Sequence, residues 1–66
     1  MKIYINGQEK KLVYSPTLEE LLIKLGYANK KIAVEINEEI IPRSCFKNKL
    51  VVDSDKIEII NAVGGG

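Results

Sequence analysis

A single helical pattern in the middle of the chain constrains the fold more than any other feature. Thr17 followed by Glu20 matches a capping box, and Gly26 ends the helix that it opens. Between these signals, leucines recur at i, i+3, i+4 and i+7, at Leu18, Leu21, Leu22 and Leu25. A helix with one apolar stripe must bury it against another layer. The flanking segments have strand patterns, so that layer is a sheet.

The N-terminal segment has the pattern of a β-hairpin. Ile3 and Ile5 alternate with Lys2 and Tyr4, and Asn6-Gly7 then forms a two-residue turn. This dipeptide between alternating residues is the strongest short-range hairpin signal. The second strand follows within residues 9–14.

Two further strands follow the helix. Ile32, Val34 and Ile36 alternate with less apolar residues, which predicts a half-buried strand. A turn at 37–39 leads into a short partner strand, and Pro42 ends the pairing because proline has no N–H to donate.

Residues 43–49 are the only place for a second helix, which a ferredoxin-like fold would need. The segment is short and lacks an apolar stripe. We expect an irregular or single-turn segment there, with Phe46 and Leu50 facing inward.

The last strand is predicted at residues 56–62, after a turn at 53–55. Side chains alternate between its two faces. Ile57 and Ile59 share the inward face. The opposite face carries Glu58, Ile60 and Ala62.

This order, ββαββ, predicts an α+β fold of the β-grasp (ubiquitin-like) class. We expect a mixed sheet of about four to five strands with one main helix packed across it. A chain of 66 residues allows one domain with a small core, so we assign 1–62 to the β-grasp domain. The residues predicted to be buried are Ile3, Ile5, Leu18, Leu21, Leu22, Val34, Ile57 and Ile59.

The composition excludes most kinds of active site. With no histidine and one cysteine, the chain lacks a histidine general base, a Cys-His pair and a thiolate metal cluster, and we expect no metal site. A net charge of +1 with scattered lysines is not typical of a nucleic-acid binder. No apolar run approaches the length of a membrane span. The early turn at Asn6-Gly7 leaves no room for a signal peptide, so we expect a cytoplasmic location.

Two groups remain as candidates for chemistry. Cys45 is the only strong nucleophile, but it has no acid–base partner, and we interpret it as a small apolar side chain packed beside Phe46. Carboxylates also gather near one predicted hairpin tip, at Glu35, Glu38 and Glu39. We interpret these as charges that keep the sheet edge soluble.

The unusual feature is the C-terminal run Gly64-Gly65-Gly66 after Val63. Glycine has no Cβ, so such a segment fits a channel too narrow for side chains and extends about 10 Å. A carboxylate at its end is unreactive until an adenylating enzyme converts it to an acyl-adenylate. We therefore predict a flexible tail over 63–66 and a protein that serves as a substrate carrying a chemical group.

A short tail cannot supply specific recognition alone, because recognition usually needs an apolar centre with a polar rim. Ile60 and Ala62 face outward on the strand that leads to the tail. They are the candidate contact, with Arg43 as a charge beside that face.

Together these segments resemble the ThiS family of sulfur carrier proteins of thiamine biosynthesis. The residues that carry the resemblance are Asn6-Gly7, 17–22, 33–44, 53–59 and the glycine end. The family usually has glycine where this chain has Ser54.

The resemblance implies a β-grasp carrier that is not an enzyme and binds no cofactor. A ThiF-type enzyme would adenylate Gly66 with ATP and magnesium, and the adenylate would become a thiocarboxylate. Its sulfur would come from the persulfide of a cysteine desulfurase, directly or by relay, and a ThiG-type thiazole synthase would receive it. Gly65 corresponds to the invariant companion of the sulfur-bearing residue.

Three alternatives stay open. Sulfur carriers for molybdopterin or other pathways share this fold and tail, although they tend to be longer. A small β-grasp module that binds RNA or protein would need no free glycine end. An enzyme that uses Cys45 is the third.

Overall fold

A computed structural model describes residues 1–61 of the chain. Its elements in chain order are β1 (Lys2–Ile5), β2 (Gln8–Lys11), α1 (Leu18–Lys24), β3 (Ile32–Ile36), β4 (Glu39–Ile40), a 3-10 turn (Arg43–Cys45) and β5 (Lys56–Asn61). Ala62 and the tail 63–66 lie outside the described residues. The domain boundary at 62 and the flexible tail therefore stay predictions.

The strands of this part of the chain form one five-stranded sheet in the order β2-β1-β5-β3-β4. β1 and β5 are parallel, whereas the other neighbouring strands are antiparallel. The sheet is therefore mixed, and α1 packs across it through its buried leucines. This confirms the predicted β-grasp arrangement.

The helix begins and ends where its local signals place it. The Thr17 hydroxyl accepts the Glu20 N–H at 3.2 Å, and the Glu20 carboxylate accepts the Thr17 N–H at 2.8 Å, so both halves of the capping box are present. Leu25 is the C-cap, and Gly26 follows with a φ of +89°. Residues with a side chain rarely adopt this conformation, which explains why the helix ends at a glycine.

The core contains all eight residues predicted to be buried, and Phe46 is buried as predicted; Ile36 and Val51 complete the core. The prediction that Leu50 faces inward is wrong, because Leu50 is 53% exposed and the buried neighbour is Val51. Leu50 pairs with Thr17 across an isolated bridge, and Val51 donates its N–H to the Pro16 carbonyl at 2.9 Å. Successive residues of an extended segment face opposite sides. The predicted alternation was therefore out of register by one residue, which put Leu50 inward where Val51 is.

Asp55 is a buried carboxylate in the turn before β5, with 5% of its surface exposed. Its Oδ2 accepts the N–H of Val52 at 2.9 Å, and its Oδ1 accepts the Nδ2 of Asn37 at 3.0 Å. Asn37 in turn accepts the N–H of Lys56 at 3.0 Å through its own Oδ1. The network therefore ties the β3–β4 turn to the start of β5.

Within residues 1–61, no helix has the length and apolar character needed to cross a membrane.

Candidate interaction site at the end of the closing strand

The end of β5 lies at the centre of one edge of the domain. Asn61 is opposite Ile32, the first residue of β3, and the N–H of Ile59 donates to the Oδ1 of Asn6 in the hairpin turn at 2.8 Å. The chain beyond Asn61 therefore starts between the β1–β2 turn and the start of β3. Five predicted site residues belong to that continuation and lie outside the described residues: Ala62, Val63, Gly64, Gly65 and Gly66.

The outer face of the sheet, on the side away from α1, carries Ile60 as predicted. Ile60 is 51% exposed, whereas Ile57 and Ile59 are buried. Its cross-strand partner is Ala33, and the next outward pair along the two strands is Glu58 and Glu35. Glu35 is in turn opposite Ile40 of β4, which is 72% exposed. We call Ala33, Glu35, Ile40, Glu58 and Ile60 the outer patch.

The charged residues of the outer patch, Glu35 and Glu58, are both carboxylates. A groove of about 650 Å³ runs along it, lined by Glu35, Asn37, Glu38, Lys56, Glu58 and Ile60. Glu35 and Glu58 are directly opposite each other, and like charges in that position repel. Three carboxylates face one ammonium group, so the groove favours a basic surface. Within residues 1–61, no three His, Cys, Asp or Glu side chains are placed so that they could hold a metal ion together.

Arg43 lies on the other side of the sheet, with the helix. Its Nη2 donates to the Lys30 carbonyl at 3.4 Å, and its guanidinium is 5.8 Å from the centre of the Phe46 ring. Phe46 is buried, and its carbonyl accepts the N–H of Glu19 at 3.0 Å. These contacts hold the 3-10 turn against the start of α1. The prediction that Arg43 lies beside Ile60 is therefore wrong.

Cys45 is exposed at the end of the 3-10 turn. The interpretation that it packs beside Phe46 is therefore wrong. It does not line the groove of the outer face. Glu38 and Glu39, in contrast, are exposed at the β3–β4 turn, where the sequence placed them.

A mixed sheet with a central closing strand and one helix packed across it defines a ubiquitin-like β-grasp domain. The end of β5 lies beside the outer patch, which is both apolar and acidic and therefore suits contact with another macromolecule. The model of the ThiS family matches residues 3–66 of the chain. The chain therefore belongs to the ThiS family.

Individual relatives agree with this assignment. The sulfur carrier protein ThiS of Escherichia coli is 32% identical over 66 residues, and the match covers all of both chains. The crystal structure of the thiamine biosynthesis protein ThiS from Geobacter metallireducens superposes with a TM-score of 0.86 at 32% identity, again over the whole of both chains. A thiazole synthase from Paramagnetospirillum magneticum is 47% identical over 66 residues. The chain spans only about 20% of the length of the thiazole synthases it matches.

Proposed function

We propose that the chain is a sulfur carrier in thiamine biosynthesis and that Gly66 carries the sulfur as a terminal thiocarboxylate. The observation that carries the proposal is the full-length match to a protein named as a sulfur carrier, together with a glycine run just beyond the central strand. The chain would be a protein co-substrate and not an enzyme. Its cytoplasmic location stays a prediction.

The chemistry requires activation of an inert carboxylate. A carboxylate oxygen of Gly66 attacks the α-phosphate of ATP on a ThiF-type enzyme, and pyrophosphate leaves. A persulfide sulfur then attacks the carbonyl carbon and displaces AMP. A thiol cleaves the resulting acyl disulfide by exchange, which leaves the thiocarboxylate and a new disulfide. ATP and magnesium thus belong to the partner enzyme, and the persulfide comes from a cysteine desulfurase, directly or by relay.

A ThiG-type thiazole synthase is the proposed acceptor of the sulfur. Relatives named thiazole synthase contain a segment that aligns with the whole of this chain and makes up about 20% of their length. In those proteins the homologous segment and the remainder share one polypeptide, which gives two parts a high effective concentration for each other. This arrangement supports thiazole synthase as the partner over acceptors of other pathways.

The outer patch is the proposed docking surface for the adenylating enzyme. Ile60, Ala33 and Ile40 supply an apolar centre, and Glu35 and Glu58 supply an acidic rim. A matching partner presents apolar side chains with lysine or arginine beside them. Ala62 and Val63 would continue the contact, and Gly64 and Gly65 would occupy a narrow channel.

Loading of the tail tests the main proposal. Incubation with ATP, magnesium, the adenylating enzyme and a persulfide source should give the mass gain of one oxygen replaced by sulfur. Deletion of Gly66 should abolish this mass gain without unfolding the domain. Gly65→Ala should slow the loading reaction, because the added Cβ does not fit a channel that admits only glycine. Cys45→Ser is the matched control and should load normally. A mass gain on Cys45 that persists without Gly66 would refute the carrier function.

Docking is tested separately with Ile60→Asp. This change should raise the KM of the adenylating enzyme for the carrier and leave the melting temperature nearly unchanged, because the side chain is half exposed. Val13→Asp is the control, since Val13 is 98% exposed and follows Leu12, whose N–H donates to Met1 at the opposite end of the sheet. Equal KM values for the two variants would place the interface elsewhere.

A further inference from the structure

A second groove lies beside α1, on the opposite side of the sheet from the outer patch. Its volume is about 460 Å³, which is within the range of protein sites that hold one compact ligand group. We call it the helix groove. The lining residues that matter here are Ile23, Tyr27, Ile32, Phe46, Arg43 and Lys47.

The apolar part of the helix groove is open to solvent. Ile23 is 57% exposed although it belongs to a helix whose other large apolar residues, Leu18, Leu21 and Leu22, are buried. Tyr27 and Ile32 are partly buried and pack against the core. The groove therefore offers room and contact area for a large apolar side chain.

The rim of the helix groove is basic. Arg43 and Lys47 line it together with one carboxylate, that of Glu19. In the part of the chain that the structure describes, the ion pair is between Lys2 and Glu9, far from this groove, so neither rim cation is neutralised by a carboxylate there. Arg43 points along this rim, with a 3.4 Å hydrogen bond to the Lys30 carbonyl and its guanidinium 5.8 Å from the centre of the Phe46 ring. Cations beside an apolar groove favour an anionic group next to an apolar one.

The position of the helix groove connects it with the tail. Ile32 lines the groove and is the cross-strand partner of Asn61, so the groove opens next to the point where the chain leaves β5. Ile60, at the same strand end, faces the other side of the sheet. The strand end thus separates an acidic apolar surface from a basic apolar one.

We propose that the helix groove is a second docking site, for the protein that accepts the sulfur, which inserts a large apolar side chain with a carboxylate beside it. This rests on the proposed function, because the partner is one that takes up the tail next to the groove. The opposite charge of the outer patch means that one partner surface cannot suit both sites. The helix groove therefore gives the carrier a way to distinguish the enzyme that loads it from the protein that unloads it.

Binding of the whole chain to the adenylating enzyme and to thiazole synthase, each titrated separately by calorimetry, tests this. Ile23→Gln removes the exposed apolar side chain and does not lower helix propensity, because glutamine is the better helix former of the two. Lys47→Glu reverses a rim charge on an exposed residue. Each should weaken binding to thiazole synthase about tenfold, which corresponds to about 1.4 kcal/mol, and leave binding to the adenylating enzyme unchanged. A loss confined to the adenylating enzyme would contradict the proposal. Arg43→Glu should weaken binding to thiazole synthase further and make the affinity less dependent on salt concentration.

Matched controls separate the groove from general effects. Val13→Gln repeats the loss of an exposed apolar side chain, and Lys10→Glu repeats the charge reversal on β2, at the opposite edge of the sheet from β4. Melting temperatures verify that each variant is folded, and Lys47→Glu keeps the test valid if Arg43→Glu is unstable. If the wild type loads sulfur but the groove variants bind both partners as the controls do, the second docking site is refuted and the carrier function stands. If the wild type does not load, both proposals fail.

Discussion

Asp55→Asn is the substitution that best tests how the two turns beside β5 are held together. The amide has the shape of the carboxylate but only one acceptor oxygen. Asp55 uses both of its oxygens, one for the N–H of Val52 and one for the Nδ2 of Asn37. Asn37 cannot rotate its amide to compensate, because its Oδ1 already accepts the N–H of Lys56. The NH₂ group of the variant therefore faces a donor, which is the Asn37 NH₂ as long as the remaining oxygen keeps the Val52 N–H.

The expected cost follows from these contacts. One hydrogen bond to a charged acceptor becomes a neutral one, which loses about 1 kcal/mol, and leaving a donor unpaired costs about 1 to 3 kcal/mol. Because Asn37 is exposed and water can reach its amide, the second cost belongs at the lower end. The sum is about 2 to 3 kcal/mol, which for a domain of this size lowers the melting temperature by about 10 to 20 °C.

Urea unfolding followed by circular dichroism gives the free energy of unfolding directly. Asp53→Asn is the matched control, because Asp53 is in the same turn but exposed, where it accepts the N–H of Lys2 at 2.7 Å. We expect Asp53→Asn to cost less than Asp55→Asn. Asn37→Ala combined with Asp55→Asn should cost less than the sum of the two single changes. Equal losses for the two aspartate variants, or additivity in the cycle, would refute the network.

Three further outcomes are expected. Leu22→Ala should lower the free energy of unfolding by about 2 to 5 kcal/mol, because Leu22 is 5% exposed, whereas Ile23→Ala at an exposed position should have little effect in the same urea experiment. Ser54→Gly should raise it by about 1 kcal/mol, since Ser54 has a φ of +73° that a side chain disfavours, and an unchanged melting temperature would contradict this. The N–H of Lys2, followed by the Ser54 hydroxyl, lowers the pKa of Asp53 below its usual 3.8. The ionised Asp53 carboxylate therefore stabilises the fold fully above pH 3.8, and this stabilisation is lost as the pH falls through the lowered pKa of the folded state. The difference in melting temperature between wild type and Asp53→Asn should vanish in strong acid. A difference that persists at all pH values would contradict this.

The elements with strong local signals could be predicted from the sequence. The capping box and leucine stripe placed α1 correctly, and Asn6-Gly7 placed the first hairpin. Leu50 and Val51 could not be separated, because both are apolar and no turn signal set the register between them. The contact that decides between them, from Val51 to Pro16, joins distant parts of the chain.

The candidate site was predictable only in part, for the same reason. The outward position of Ile60 follows from the alternation along β5. The position of Arg43 depends on where the 3-10 turn packs, and the contact between Phe46 and Glu19 that decides this has no local signal. In the sequence, Asp55 looks like an ordinary turn residue. Its partner Asn37 is 18 positions away, so no local pattern shows that the two are hydrogen-bonded.

The parallel pairing of β1 with β5 also determines how the domain responds to mechanical force. The backbone N–H of Asn6 donates to the Ile57 carbonyl at 2.8 Å, and the backbone N–H of Tyr4 donates to the Asp55 carbonyl at 2.9 Å. Because the two strands run in the same direction, tension between the start of β1 and the end of β5 loads these bonds side by side in shear, so they must break together and not one after another. The five pairs between β3 and β5 add resistance on the other flank. Tension applied at the end of β5 is therefore shared by hydrogen bonds on both sides of the strand.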